Sequence, residues 1–258
     1  MTPKIVDMKS ILIPTNFSES ANNAYLYALH LANHLDLKVY VVYCYIPPVL
    51  SATHGGQPEL LQSVYEEIEL SKFDSFKNNV STLHELAEKN NLDSSNVIFL
   101  FEEGTLINTI KKTVEKEDIY AVVMGTSGAS GFAKAIIGTN TVDVINNIKK
   151  PVLAIPSHAK FKPIEKVAFT TLFREKDKTA LQEIVNIADK IVAETYCIHV
   201  MDNADNPADA LLHTDDWGQL YKNSNLEFIL LEKNGSVENT INSFIQEQNI
   251  DVLAIVKR

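Results

Sequence analysis

Glycine is scarce in this chain. There are nine glycines in 258 residues, and four of them (Gly125, Gly128, Gly131 and Gly138) fall in one short stretch, MGTSGASGFAKAIIGTNT, after the apolar run YAVVM. Cysteine is scarcer still. Cys44 and Cys197 both sit in strand-like runs, VVYCY and TYCIHV. Two thiols make neither a disulfide framework nor a zinc site by themselves, and such positions predict buried thiols. Basic charge is in deficit, with 23 Lys and Arg against 33 Asp and Glu, a formal net charge of −10. Binding nucleic acid by counterion release needs a basic footprint, so no nucleic acid partner is expected. No run of 18 apolar residues exists, so no membrane span is expected, and the N-terminal MTPKIVDMKSILIPTNF lacks a long apolar leader core. A cytoplasmic location is the expectation. Hydrophobic residues make up 45% of the chain, enough for a substantial core.

Short apolar runs alternate with helical periodicity. KSILIPT, KVYVVYCYI, NVIFLFEEG, YAVVMG and PVLAIP read as strands. Between them lie SESANNAYLYALHLANHLDL, a long stretch from about Glu59 to Asn90, TLINTIKKTVEKEDI and NTVDVINNIKK, which read as helices, with Ser18 placed to cap the first. Strands alternating with helices imply right-handed crossovers and a mainly parallel sheet. Strands apolar on both faces imply helices on both sides of it.

The pattern then repeats. GTLINTIKKTVEKEDIYAVVM and GSVENTINSFIQEQNIDVLAI stand 131 residues apart without a gap and share Gly104/Gly235, Asn108/Asn239, Thr109/Thr240, Ile110/Ile241 and Ile119/Ile250. KSILIPTNFSES resembles EKVAFTTLFREK, 156 residues on, so the second copy is about 25 residues shorter. PADALLHTDDWGQLYKN stands where the first copy has its long second helix. Two copies of one domain are predicted: residues 1–157, a linker at 158–163, and a shortened copy at 164–258.

The glycine-rich stretch lies at the carboxyl end of a strand, where open parallel sheets bind ligands. Behind it, Gly138-Thr139-Asn140-Thr141 opens a helix whose first amides lack intrahelical partners and suit an anion such as phosphate. Lys134 could add charge. The spacing is G-x2-G-x9-G-T; it is neither G-x-G-x-x-G nor a lysine-bearing phosphate loop. With ILIPTNFSESA before it and NTVDVINNIKKPVLAIP after it, the pattern resembles the universal stress protein family in the form carried by its ATP-binding members. Residues about 8–157 carry the resemblance end to end, and 164–258 carry it more weakly.

The resemblance implies two tandem open parallel-sheet α/β domains. They would be Rossmann-like, of the adenine nucleotide α-hydrolase-like (HUP) type, with the second degenerate or incomplete. It implies ATP or another adenine nucleotide as ligand, with or without magnesium. Pro14, Thr15 and Asn16 would line the adenine and ribose side. The backbone near Val41 and Val42 would face the adenine edge, and Met124 and Gly125 would close the pocket under the ribose. Gly128, Gly138, Thr139, Asn140 and Thr141 would hold the phosphates. Asn16 stands where the family usually has Asp; it keeps an acceptor but not the charge. A homodimer is what the family suggests, and the tandem copies could instead form a pseudo-dimer within one chain. In the second copy TTL replaces PTN, Val256 replaces Gly125, and no glycine loop is present, so no nucleotide is expected there in the same manner. That shortened copy would also expose apolar sheet unless covered, and PVLAIP of the first half is the expected cover.

Other constellations are weaker. His30 and His34 share a helix face but lack a third metal ligand. TSGASG is one residue short of a nucleophile elbow. Glu66, Glu67 and Glu69 read as a solvated face. Trp217 is left open as an anchor for the domain interface or a partner. No general base or magnesium carboxylate stands beside the phosphates, so fast hydrolysis is not expected. The alternatives are a slow ATPase or phosphotransferase, with Asp143 reaching a metal, and a nucleotide-free interaction module.

Overall fold

A computed structural model describes residues 9–47, 58–126, 138–202, 206–221 and 224–257. The chain divides into two compact units, with the change between Phe161 and Lys162.

The first unit is a five-stranded sheet in the order β3-β2-β1-β4-β5, all parallel. Its elements are β1 (Ser10–Thr15), α1 (Glu19–Leu35), β2 (Lys38–Tyr45), α2 (Pro58–Lys89), β3 (Val97–Glu103), α3 (Leu106–Lys116), β4 (Ala121–Thr126), α4 (Thr139–Asn147) and β5 (Val152–Pro156). Successive strand residues point to opposite faces. Ile11, Ile13, Val39, Val41, Val123 and Ile155 therefore pack with α1 through Ala24, Tyr25, Ala28 and Leu29. Leu12, Tyr40, Val42, Val122 and Met124 pack on the other face with Ile110, Val144 and Ile148. Ser18 caps α1, its Oγ accepting from the Ala21 N–H at 3.4 Å.

The second unit is a four-stranded parallel sheet in the order β8-β7-β6-β9. It comprises β6 (Lys166–Thr170), α5 (Glu175–Ile191), β7 (Glu194–Met201), α6 (Pro207–Gly218), a 3-10 turn (Gln219–Tyr221), β8 (Leu226–Glu232), α7 (Val237–Gln248) and β9 (Val252–Ala254). The internal repeat is structural. Helix α5 matches α1 at 17 residues, and β7 begins and ends 156 positions after β2. Left-handed residues recur at the same places: Phe17 (φ 59) and Phe173 (φ 55), Asp36 (φ 53) and Val192 (φ 58), Asp118 (φ 48) and Asn249 (φ 55). The length difference arises in one crossover, where α6 and the 3-10 turn replace the 32-residue α2.

Trp217 is resolved by this replacement. It is only 4% exposed and packs inside its own domain with Phe169, Leu181, Val185, Cys197 and Tyr221. The insert thus lays two aromatic side chains into the second domain's core. Cys197 is buried as expected, but Cys44 is half-buried; burial pushes both thiols above their ordinary range, so neither is an activated nucleophile.

The segment expected as a linker is packed at both ends. Asn23 Nδ2 donates to the carbonyls of Pro156 (3.1 Å) and Ala159 (2.9 Å), and Phe161 stacks on His30 at 4.3 Å. Lys162 pairs with Asp251 at 2.5 Å. Asp251 also accepts from the N–H groups of Glu165 (2.8 Å) and Lys166 (3.0 Å). Burial alone would raise this carboxyl's pKa, but Lys162 and the two amides outweigh it and hold the group below the usual carboxylate value. A depressed folded pKa gives stabilisation that is complete above the unfolded value and disappears as pH falls through the folded one. Asp251→Ala should therefore cost the second domain about 1–3 kcal/mol at pH 7 and much less below pH ~3. Melting temperature followed from pH 7 to pH 2 checks this; a deficit that persists unchanged into acid contradicts it.

Candidate functional site

Strand order in the first sheet reverses between β1 and β4, since β2 and β3 lie to one side and β5 to the other. Such a switch point opens a crevice at the carboxyl ends of the strands. Here β1 and β4 pair only at Ile11–Ala121 and Leu12–Val122, although both strands run on to Thr15 and Thr126. Beyond Leu12 they part, and the first turn of α1 stands beside the gap.

Thr15 is half-buried and Asn16 exposed at the end of β1. Thr15 Oγ1 accepts from the Phe17 N–H at 2.9 Å, and Asn16 Oδ1 accepts from the Ser18 N–H at 3.1 Å. These bonds fix the left-handed Phe17, a costly conformation for a bulky residue. Pro14 lies one step inside, buried, paired with Val42. Across the crevice, Met124 is buried and Gly125 faces α1. Thr141, in the first turn of α4, is 2% exposed and its Oγ1 donates to the Gly125 carbonyl at 3.4 Å. Thr139 and Asn140 open α4. Gly138 is its N-cap residue and provides no side-chain cap, so the first amides of α4 receive no acceptor from that position. The structure thus brings Thr15, Asn16, Met124, Gly125, Gly138, Thr139, Asn140 and Thr141 to the ends of β1 and β4 and the start of α4. Gly128 and Lys134 lie outside the described residues.

Val42 and Val41 stand one and two residues before Tyr43 on β2. Both are fully buried in the middle of β2, paired with Ile13 and Pro14, their side chains on opposite faces. The residue level with Thr15 is Tyr43, whose ring stacks on Phe17 at 5.2 Å and on Phe101 at 6.0 Å. Parallel neighbours that start together end together, so counting along β2 from Lys38 would have found it. Gly125 is also glycine for a packing reason. A Cβ there would stand 2.2 Å from the Ser20 carbonyl oxygen and 2.5 Å from its carbon. Gly138, at φ −58 and ψ 151, is in a conformation open to any residue.

No group of three His, Cys, Asp or Glu side chains suited to a metal occurs among the described residues. Asp143 is exposed on α4. No helix among the described residues is long and apolar enough to cross a membrane.

A parallel sheet with a crevice at its switch point, flanked by a bare helix start, defines an α/β protein of the Rossmann-like type. The model described as the universal stress protein family matches residues 8–156, and the chain belongs to that family. A universal stress protein of Methanocaldococcus jannaschii is 26% identical over 153 residues, which is 59% of this chain and 84% of that protein. Among solved structures, a universal stress protein from Archaeoglobus fulgidus is similar at a TM-score of 0.72 and 20% identity, covering 96% of this chain and 87% of its own. One assigned to the family from Pseudomonas aeruginosa is similar at a TM-score of 0.58 and 14% identity, covering 97% of this chain and 83% of its own. Both likenesses run through the two tandem domains.

Proposed function

We propose that the first domain binds ATP or a related adenine nucleotide in the crevice between β1 and β4, and that the second domain does not. One observation carries the reading. Strands β1 and β4 part above Leu12–Val122, and the uncapped start of α4 stands beside that gap, tied to Gly125 through Thr141. A helix start without a side-chain acceptor favours an anionic group. Thr15, Asn16 and Tyr43 supply a hydroxyl, an amide and a ring for the uncharged part of the ligand. The adenine class comes from the G-x2-G-x9-G-T resemblance, in which Gly128 and the residues up to Gly138 would wrap the phosphates. Other family members have been solved in complex with cAMP and, from Arabidopsis thaliana, with AMP bound, which is a property of those proteins. Binding would shift the protein between partner-binding states, as a nucleotide-responsive regulator in the cytoplasm. No residue is assigned a catalytic role, and magnesium, if it enters, would come with the phosphates.

Calorimetry with ATP and AMP on the full chain, with mass spectrometry of the purified protein, tests this. Saturable heat with either nucleotide is the expected result; none with both, and no nucleotide carried through purification, overturns it. Gly138→Asp locates the phosphates. Aspartate is a favoured N-cap and its charge complements the helix dipole, so the fold should keep or slightly raise its melting temperature. Its carboxylate would occupy the α4 amides, and ATP affinity should fall by at least about tenfold. Unchanged affinity would place the phosphates elsewhere.

A further inference from the structure

The two copies differ at one buried position beside the turn that follows their first strands. The β1–α1 turn and the β6–α5 turn have the same backbone: Phe17 and Phe173 are both left-handed, and their N–H groups are accepted by Thr15 Oγ1 (2.9 Å) and Thr171 Oγ1 (2.8 Å). In the first copy Asn16 Oδ1 accepts from the Ser18 N–H. In the second, Leu172 replaces Asn16 and offers no acceptor. Asp177, two residues into α5 and fully buried, takes over. Its Oδ2 accepts from the Leu172 N–H at 2.9 Å, the Arg174 N–H at 3.4 Å and the Thr171 hydroxyl at 3.3 Å. The residue 156 positions earlier, at the same place on α1, is Ala21.

We propose that Asp177 is a built-in occupant of the second domain's pocket, a carboxylate of the chain itself standing where the first domain receives a ligand, and that Ala21 keeps the first pocket open. This rests on the nucleotide reading and adds the residue that decides which copy is receptive. Independent observations agree. Thr171 is 3% exposed, whereas Thr15 is half-buried. Pairing of β6 with β9 continues to Phe169–Ala254, one residue further than that of β1 with β4, so the crevice closes sooner. His199 Nδ1 lies 2.9 Å from the Thr171 carbonyl; a carbonyl only accepts, so that nitrogen carries a proton. Phe173 packs against His199 at 5.0 Å and Trp217 at 5.3 Å much as Phe17 packs against Tyr43 at 5.2 Å and Phe76 at 6.2 Å, and it adds a contact with His213 at 5.3 Å, so the aromatic surroundings of the two turns are alike and the acid is what differs.

Ala21→Asp transplants the occupant, and amide NMR of the full chain reads it without any nucleotide. A carboxylate bonded at the turn moves the Asn16 and Ser18 amide protons downfield, and ATP affinity by calorimetry should fall at least about tenfold. Amides that do not move overturn the proposal. Amides that move while ATP affinity stays at the wild-type value also overturn it, and leave the nucleotide site standing. Wild-type protein that binds no ATP, with the amides still moving, overturns the proposed function and supports the internal occupant. If Ala21→Asp does not fold, Asp177→Ala gives the converse. The Leu172 and Arg174 amides should then move upfield and exchange faster with deuterium while those of Asn16 and Ser18 keep their positions; unmoved Leu172 and Arg174 amides overturn the proposal.

Discussion

Gly125→Ala should destabilise the first domain by about 3 kcal/mol or more, seen as a lower urea midpoint for that domain. The added methyl carbon would stand 2.2 Å from the Ser20 carbonyl oxygen and 3.0 Å from the Ala21 nitrogen. These are backbone atoms in the first turn of α1, so no rotamer change relieves the contact. The helix must move away from β4, and with it Ala21, Ala24 and Ala28, whose small side chains let it lie against the sheet. The proposed nucleotide affinity should fall too, because Thr15 and Asn16 lie at the start of the displaced helix and Thr141 bonds to the Gly125 carbonyl. A loss under about 0.5 kcal/mol would mean that α1 yields freely. The second copy carries Val256 at the matching position, packed against the core cluster that holds Trp217; there β9 ends at Ala254, whereas β4 runs to Thr126.

Trp217→Ala should cost the second domain about 3–5 kcal/mol, the range for removing a buried aromatic. Trp217 and Tyr221 are the insert's main contribution to the core cluster formed by Phe169, Leu181, Val185 and Cys197. The domain has one strand fewer than its partner and little reserve to absorb such a loss. Melting followed by circular dichroism should show the second domain's transition shifted sharply down or lost. The ATP binding proposed for the first domain, measured by calorimetry, should persist. A melting profile like that of the wild type would mean that the insert is dispensable.

Much of this architecture was legible in the residues, because periodicity reports burial directly. Ile11, Leu12 and Ile13 all had to be buried, and two covered faces follow from that. The repeat was legible because Gly104 and Gly235 start matching helices after matching strands. What escaped depended on distances across the fold. Gly125 reads as a glycine kept for a ligand until α1 is seen against it. Tyr43 reads as one more strand residue until register sets it level with Thr15. Asp177 reads as an ordinary acid in the first turn of a helix, since nothing local says that its carboxylate turns inward to Leu172. Trp217 could not be assigned because the element holding it has no counterpart in the first copy.

Val192 ends α5 at φ 58 with its side chain 89% exposed. A branched residue in that geometry carries a torsional cost of roughly 1 kcal/mol or more and gains almost nothing from burial. Its counterpart Asp36, a short polar residue, sits there more comfortably. What both positions share is the chain reversal that follows, in which the Ala193 N–H reaches the Ala188 carbonyl at 2.9 Å and the Leu37 N–H reaches that of Ala32 at 3.0 Å. The side chain at such a corner is a passenger. The path into the next strand is what both halves preserve, even where the residue that follows it is poorly suited to the bend.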